Sequence, residues 1–408
     1  MKILHIISQT PDFTGSGKYL QAILKCASGK GYDNFLVAGV QDDFSLDARI
    51  IPCEKSMAVR FNGMDLEYPL PGMSDVMPYE STIFSTLTTS QINSYERAFK
   101  RVIQKAAEEF RPDIIHTHHL WLVSALTRDL LPHIPMVTTC HGTCLRQFSL
   151  CRTLGRRAGR SFRKIDRVMA LSSYQKEEII RIHNIPSEQI DVVGGGYDET
   201  LFHFSEKLPP PHVEILYAGK LSYSKGLPWL LSSLKRIDSY PWHLHIVGSG
   251  SGGEELKSLE LAEALGDKVT IHGPLSHSDL ADLMRQVHLF VLPSFFEGLP
   301  LVLMEALASG CKVITTSLPG TREVLGECNS SMVTLVELPD LETVDRPYEK
   351  DMKYLESTLA KGIATSIEQL IEDPVTDLDT VQRLTGDYTW ERVFARVEKV
   401  YEKTLSLL

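Results

Sequence analysis

The sequence predicts an α/β protein made of two sheet-and-helix domains, and three observations carry that reading. Apolar runs of about four to seven residues, bounded by Gly, Pro or Ser, alternate with helical stretches along the whole chain, the pattern of buried parallel strands in βα units. At 408 residues the chain exceeds one ordinary core and fits two domains of roughly 200 residues. A single break, from Gly194 to Pro211, gathers three consecutive glycines and the prolines Pro209, Pro210 and Pro211.

Taken in order, the strand candidates of the first half are KILHII from Lys2, NFLVAGV from Asn34, DIIHTHH from Asp113, PMVTTCHG from Pro135, RVMALSS from Arg167 and IDVVGGG from Ile190. Those of the second half are VEILYAGK from Val213, HLHIVGSG from His243, KVTIHG from Lys268, HLFVLPS from His288 and KVITT from Lys312. The expected domains are therefore residues 1–195 and 205–388. The stretch Arg49–Ser90, with Pro52, Pro69, Pro71 and Pro78 and no clean period, reads as a loop excursion on the acceptor side of the first domain. The closing segment 389–408 places Trp390, Val393, Phe394, Val397, Val400, Tyr401 and Leu405 at helical spacing. That stripe needs a partner, and the first domain is one candidate.

Composition narrows the function. With 43% hydrophobic and 23% charged residues and no apolar run near the roughly 18 residues of a membrane span, the expectation is a soluble, cytoplasmic protein. Seven cysteines without paired spacing suit a reducing compartment, and Cys140, Cys144 and Cys151 lack the double CxxC of a zinc site. A net charge of −10 argues against nucleic acid as a partner. Inside this acidic chain the segment 146–167 holds Arg146, Arg152, Arg156, Arg157, Arg160, Arg163, Lys164 and Arg167 against Asp166 alone. It reads either as a solvated helix or as a surface for an anionic acceptor or the inner face of a membrane.

The sharpest chemical signal is SFFEGLPLVLMEALASGCKVITT, from Ser294 to Thr316. Glu297, Gly298 and Leu299 follow a strand, where open α/β sheets bind ligands. Pro300 and Leu301 then open a helix whose first N–H groups and dipole attract phosphate. Glu305 lies on that helix, placed for a ribose hydroxyl. Lys220 and Lys225, after VEILYAG, bring two cations able to stabilise a departing diphosphate. Gly15, Ser16 and Gly17, after the first strand, let backbone N–H groups approach an anion. Gly248, Gly250 and Gly253 spell the dinucleotide fingerprint, but the next strand ends without the acidic residue a nicotinamide site requires.

Glu297 and Glu305, eight apart in FEGLPLVLME, match the acid-x7-acid motif, and the chain resembles the retaining group 1 glycosyltransferases, the relatives of glycogen synthase and sucrose synthase. PDFTGSGKYL, HTHH, the His-Gly of Cys140–Gly142, ALSS, GGGYDETLF, YAGKLSYSKGL, VGSGSGG and YTWERV follow in the family's order over nearly the whole chain. The resemblance implies a GT-B fold, two Rossmann-like domains facing each other across a cleft, and sugar transfer from a nucleotide-sugar donor to a glycan, small-molecule or lipid-linked acceptor. UDP-sugars come first and GDP-mannose second, on family breadth. It implies that Lys220 and Lys225 hold the donor diphosphate and that the Gly248–Gly253 turn lies near the donor base. It also implies that His141 meets the transferred sugar and that Glu297 meets the donor's hydroxyls. No metal or cofactor is implied, and His116, His118 and His119 read as a strand end. Four features depart from the family pattern: Gly195 stands where an Asn is usual, Tyr197 where an apolar residue is usual, Lys220 where an Arg is common, and the loop at Gly15 is less glycine-dense than the commonest double-Gly form. Two alternatives stay open: a nucleotide-sugar epimerase of the same fold, and a catalytically silent binding module.

Overall fold

Strands with near-continuous apolar runs must be covered on both faces, and the computed structural model meets that demand with two separate parallel sheets. It describes residues 1–406 apart from 13, 75, 76, 78, 209, 210, 251, 327–329, 344 and 375; Pro78, Pro209 and Pro210 therefore lie outside the described residues. The chain divides into two compact units, Met1–Gly195 with Trp390–Leu408, and Gly196–Thr389.

The first unit carries β1 (Lys2–Ile7), β2 (Asp33–Gln41), β3 (Ser56–Phe61), β4 (Ile114–His118), β5 (Met136–Thr139), β6 (Arg167–Ala170) and β7 (Ile190–Val192). Their order is β3-β2-β1-β4-β5-β6-β7. All six strands expected for this half are present, with β3 in addition. Part of the Arg49–Ser90 stretch is therefore sheet edge and not loop: Ser56–Phe61 pairs in parallel with Leu36–Gln41. Its SMAVRF run buries Val59 and Phe61, and the flanking prolines disguise a short edge strand, where Pro is tolerated. The helix Thr89–Phe110 follows a capping box of Thr88 and Gln91 and buries Ile92, Tyr95, Phe99, Val102, Ile103 and Phe110 at three- and four-residue spacing.

The second unit carries β8 (Val213–Ala218), β9 (Trp242–Val247), β10 (Val269–Gly273), β11 (Leu289–Leu292), β12 (Lys312–Thr316) and β13 (Val333–Val336), in the order β10-β9-β8-β11-β12-β13. The five expected strands are joined by β13 at the edge. Gly248, with φ +134°, has no room for a side chain, since a Cβ there would lie 1.9 Å from the Gly219 carbonyl oxygen. A Cβ on Gly250 would lie 2.8 Å from the oxygen of Leu221. These two glycines of the GxGxxG string are thus required by the close approach of the loops after β8 and β9.

The terminal helix Trp390–Leu405 belongs to the first unit by its contacts. It packs on the helix Gly15–Gly29 and on β5 and β6, burying Val393, Phe394, Val397, Val400 and Tyr401. Trp390 meets Tyr19 edge-on at 5.4 Å. The Tyr401 hydroxyl lies 2.7 Å from His116 Nδ1, both groups being buried. Tyr401→Phe keeps the ring and strands a buried imidazole nitrogen, so it is expected to destabilise this unit by about 1–3 kcal/mol. Denaturant unfolding monitored by circular dichroism checks this; an unchanged midpoint would mean that the hydroxyl does not anchor the helix.

Candidate active site

In doubly wound sheets, ligands bind beyond the carboxyl ends of the strands where the strand order reverses. The second sheet reverses between β8 and β11, and the first between β1 and β4. The loops leaving those four strands carry most of the residues singled out from the sequence.

In the second unit the two loops are held together by backbone. Gly226, with φ +72°, sits where a Cβ would be 2.0 Å from the Pro293 carbonyl oxygen. The Phe295 N–H donates to the Ser224 carbonyl at 2.9 Å, and the Trp229 and Phe295 rings stack at 5.1 Å. On this frame Lys225 Nζ donates to Glu297 Oε1 at 2.7 Å, and the Ser294 hydroxyl donates to the same oxygen at 2.7 Å. The Glu297 side chain keeps only 10% of its surface and Lys225 keeps 25%. The Lys220 carbonyl accepts the Tyr217 hydroxyl at 2.6 Å. Burial pushes the Tyr217 phenol well above its ordinary pKa, and the charge of Glu297 adds to that, so Tyr217 stays a donor that shapes the lysine loop.

Beyond Glu297, Gly298 presents its carbonyl to Gly320, where a Cβ would lie only 2.4 Å away. The helix begins at Leu301 and runs to Ala308. Pro300 is its cap rather than a residue of its first turn, and its carbonyl accepts the Leu303 N–H at 3.1 Å. Leu299 and Leu301 are half-buried. Glu305 is the fifth helical residue and is nearly buried, with His277 Nε2 3.1 Å from its Oε1. His277 therefore already occupies one oxygen of that carboxylate.

The first unit places Gly15, Ser16 and Gly17 at the start of the helix Gly15–Gly29. The Gly17 N–H is already donated to Thr14 Oγ1 at 3.1 Å, and Gln9 donates to the hydroxyls of Thr14 and Ser16. Gly17 is glycine because a Cβ would fall 2.8 Å from the Pro11 carbonyl carbon. The expectation of a free N–H on Gly17 is thus corrected by the Thr14 cap, which leaves Gly15 and Ser16 as the residues of the turn to be considered for an anion.

His141 follows β5 and leads to Gly142, at φ +82°. Its Nε2 lies 3.2 Å from His118 Nδ1, and the rings of Tyr19 and His119 stand 5.0 and 4.9 Å away. His119 is a buried non-glycine residue at φ +74°. Burial, reinforced by His119 and His116, holds the His141 pKa well below its ordinary value. It is therefore a neutral imidazole at neutral pH.

Register pairs His5 of β1 with His116 of β4, so that His5, His116 and His118 face the same way. Single nitrogens of the three lie within 4.8 Å of one another, close enough in principle for a metal. The rings argue otherwise. Those of His116 and His118 stack 4.3 Å apart at 27°, which sets their in-plane lone pairs side by side and not toward one point. Both His116 nitrogens are also engaged, by Tyr401 and by Thr139.

His5 and His183 are each held down to about 4 by burial, so each folded-state pKa lies below the unfolded value near 6.5. Their contribution to stability is complete above pH 6.5 and is lost as pH falls through about 4. Unfolding midpoints measured between pH 7.5 and 4 are expected to drop across that window, and less steeply in His183→Gln; a flat profile would contradict neutral burial.

Sequence reasoning did not find Ser294, Tyr217 or His277. Ser294 sits in the motif beside Glu297, whereas His277 is 28 residues from Glu305 and only the fold joins them.

Two family models match the chain side by side: that described as Glycosyltransferase Family 4 over residues 75–201, and that described as Glycosyl transferases group 1 over residues 212–343. The chain belongs to the group 1 glycosyltransferases. Among similar curated proteins, glycogen synthase of Mycobacterium tuberculosis is 26% identical over 307 residues, covering 72% of this chain and 69% of that protein. The D-inositol 3-phosphate glycosyltransferase of an Arthrobacter species is 29% identical over 235 residues, covering 52% of this chain and 55% of that protein. Among solved structures, Anabaena HepE in complex with UDP and glucose superposes with a TM-score of 0.71 at 18% identity, covering 99% of this chain and all of that one. At that identity the likeness is one of fold, and the fold of this group 1 glycosyltransferase is GT-B. Among the described residues, no helix is long and apolar enough to cross a membrane.

Proposed function

We propose that the chain is a retaining glycosyltransferase that moves a sugar from a nucleotide-sugar donor, a UDP-sugar first and GDP-mannose second, to an acceptor hydroxyl without a metal ion. The observation that carries this reading is the Lys225–Glu297 pair at the strand-order reversal of the second sheet, next to the N-terminus of the helix Leu301–Ala308. A diphosphate there meets cationic side chains and the N-terminal end of the helix, which stabilise the charge that grows on the leaving group. Lys220 and Lys225 take the diphosphate, with Gly298, Leu299, Pro300 and Leu301 forming the turn against it and Glu305 taking the ribose. Glu297, already oriented by Ser294 and Lys225, contacts the sugar hydroxyls and favours positive charge at the anomeric carbon. Gly15 and Ser16 offer a second anion contact on the first unit. His141, neutral and held by His118, serves as a hydrogen-bonding partner of the sugar and not as a charged acid.

A panel of nucleotide sugars, scored by thermal shift and by slow donor hydrolysis, identifies the donor. With it in hand, Glu297→Ala and Lys225→Ala are each expected to lower turnover on an identified acceptor by about 100-fold, Lys225→Ala also weakening donor binding. Activity should persist in chelator, and nuclear magnetic resonance of the product should report the donor's anomeric configuration. Unchanged turnover in Glu297→Ala overturns the site assignment, and conversion of the donor's sugar without any acceptor favours an epimerase.

On the partner side, Arg152, Arg156, Arg160 and Arg163 are exposed at spacings of four, four and three along and just beyond the helix Arg152–Phe162, one face of a helix. By contrast, Arg157 pairs with Glu96, Lys164 with Asp129 and Arg167 with Asp191. The four-arginine stripe suits an anionic membrane surface. Cosedimentation should occur with vesicles containing anionic lipid, fail with purely zwitterionic vesicles and weaken at high salt; equal binding to both would overturn this.

A further inference from the structure

Four of the chain's histidines, His212, His243, His245 and His272, collect in the second unit. Glu214 on β8 accepts from two of them: His212 Nε2 lies 2.8 Å from Oε1 and His245 Nε2 lies 2.9 Å from Oε2. On β9, His243 and His245 are two residues apart and share a face, with ring centres 5.0 Å apart. Across the next strand pair, His245 Nδ1 lies 2.9 Å from His272 Nε2 on β10. Parallel strands normally have both faces covered. Here β9 alternates buried and half-buried residues, His243 and His245 being half-buried, and His272 is exposed on β10. Solvent and small ions therefore reach this row.

The hydrogen bonds determine the tautomers. A carboxylate only accepts, so His245 carries its proton on Nε2 and presents a lone pair on Nδ1. That lone pair now accepts from His272 Nε2. A metal-binding histidine has the same form, with one ring N–H on a carboxylate and the other nitrogen free to ligate. Two nitrogens bound to one tetrahedral zinc at about 2.0–2.1 Å lie about 3.4 Å apart. Ligation therefore requires the nitrogens to open from 2.9 Å and the two rings, now 5.2 Å apart at 30°, to turn their lone pairs toward one point, with the His272 proton moving to Nδ1; His272, exposed on its strand, has room to turn.

We propose that His245 and His272 form a binding site for a divalent transition metal of the zinc type, with Glu214 holding His245 in the ligating tautomer and solvent completing the coordination. Burial lowers the pKa of His245 in spite of Glu214, so the ring is neutral and able to ligate at neutral pH. Imidazole donors suit zinc, nickel and copper rather than calcium or magnesium. None of the site's three residues is assigned a part in sugar transfer. Its consequence for the unit is a tie between β9 and β10 one residue before Gly273, whose carbonyl accepts the Gly248 N–H at 2.9 Å.

The test is calorimetric titration of the full chain, with any affinity tag removed, with zinc chloride at pH 7.5. The proposal expects about one bound equivalent, no response to magnesium or calcium, and a rise in melting temperature with zinc. His272→Gln, an exposed change that leaves the packing intact, should weaken binding at least tenfold, and His245→Gln should do the same. Glu214→Gln should weaken it by about 10- to 100-fold. Absence of binding to the unaltered chain overturns the site. So does wild-type affinity in His272→Gln, which would place the ion elsewhere, the buried His5, His116 and His118 being the group then tested by His5→Gln.

Discussion

A contact with no side chain in it underlies the meeting of Lys225 with Glu297: Gly226 lies against the carbonyl of Pro293. At φ +72° and with a virtual Cβ 2.0 Å from that oxygen, the position accepts only glycine without rearrangement. The contact joins the loop after β8 to the loop after β11, the two strands flanking the reversal of strand order. Because the loops touch there, Lys225 and Glu297, 72 residues apart, meet at 2.7 Å. Thus the sheet topology decides which loops are neighbours, and the missing side chain decides how closely they approach.

The same logic explains what could be read from the sequence and what could not. Buried parallel strands announce themselves as apolar runs between breakers, and all eleven expected runs are strands. Ser56–Phe61 escaped because an edge strand needs only one neighbour and tolerates flanking prolines. Glu297, Lys220 and Lys225 were legible because local motifs place them in loops at strand ends. The Glu305–His277 pair was not, since it depends on how two helices of the second unit pack. His5 joins His116 and His118 only through register: KILHII and DIIHTHH align histidine against histidine once β1 is known to lie beside β4.

Histidine serves two different ends in the two units. In the first, His5, His116 and His118 are withdrawn from water and kept neutral by burial, their neighbours being hydroxyls, an amide and one another. Stacking and desolvation reinforce neutrality there, so the cluster resists protonation until the pH is low enough to favour the unfolded chain. In the second, a carboxylate fixes the proton on His245 and leaves the outward row within reach of solvent. Burial and a directing anion thus separate a structural seam from a ligating one.

If the donor binds as proposed, the Lys225–Glu297 pair also constrains how it does so. An ion pair this enclosed is costly to break by removing one member, because the other is left poorly solvated. A diphosphate that takes Lys225 has to leave Glu297 satisfied, and Ser294, which already donates to the same carboxylate oxygen, does part of that. The sugar's hydroxyls can do the rest, since each is a donor. Glu297 would then exchange a cation for neutral donors at the step that brings the anomeric carbon near it. On the proposed reading its negative charge would be freed from Lys225 only with the donor in place, which would couple diphosphate binding to the electrostatics of the sugar.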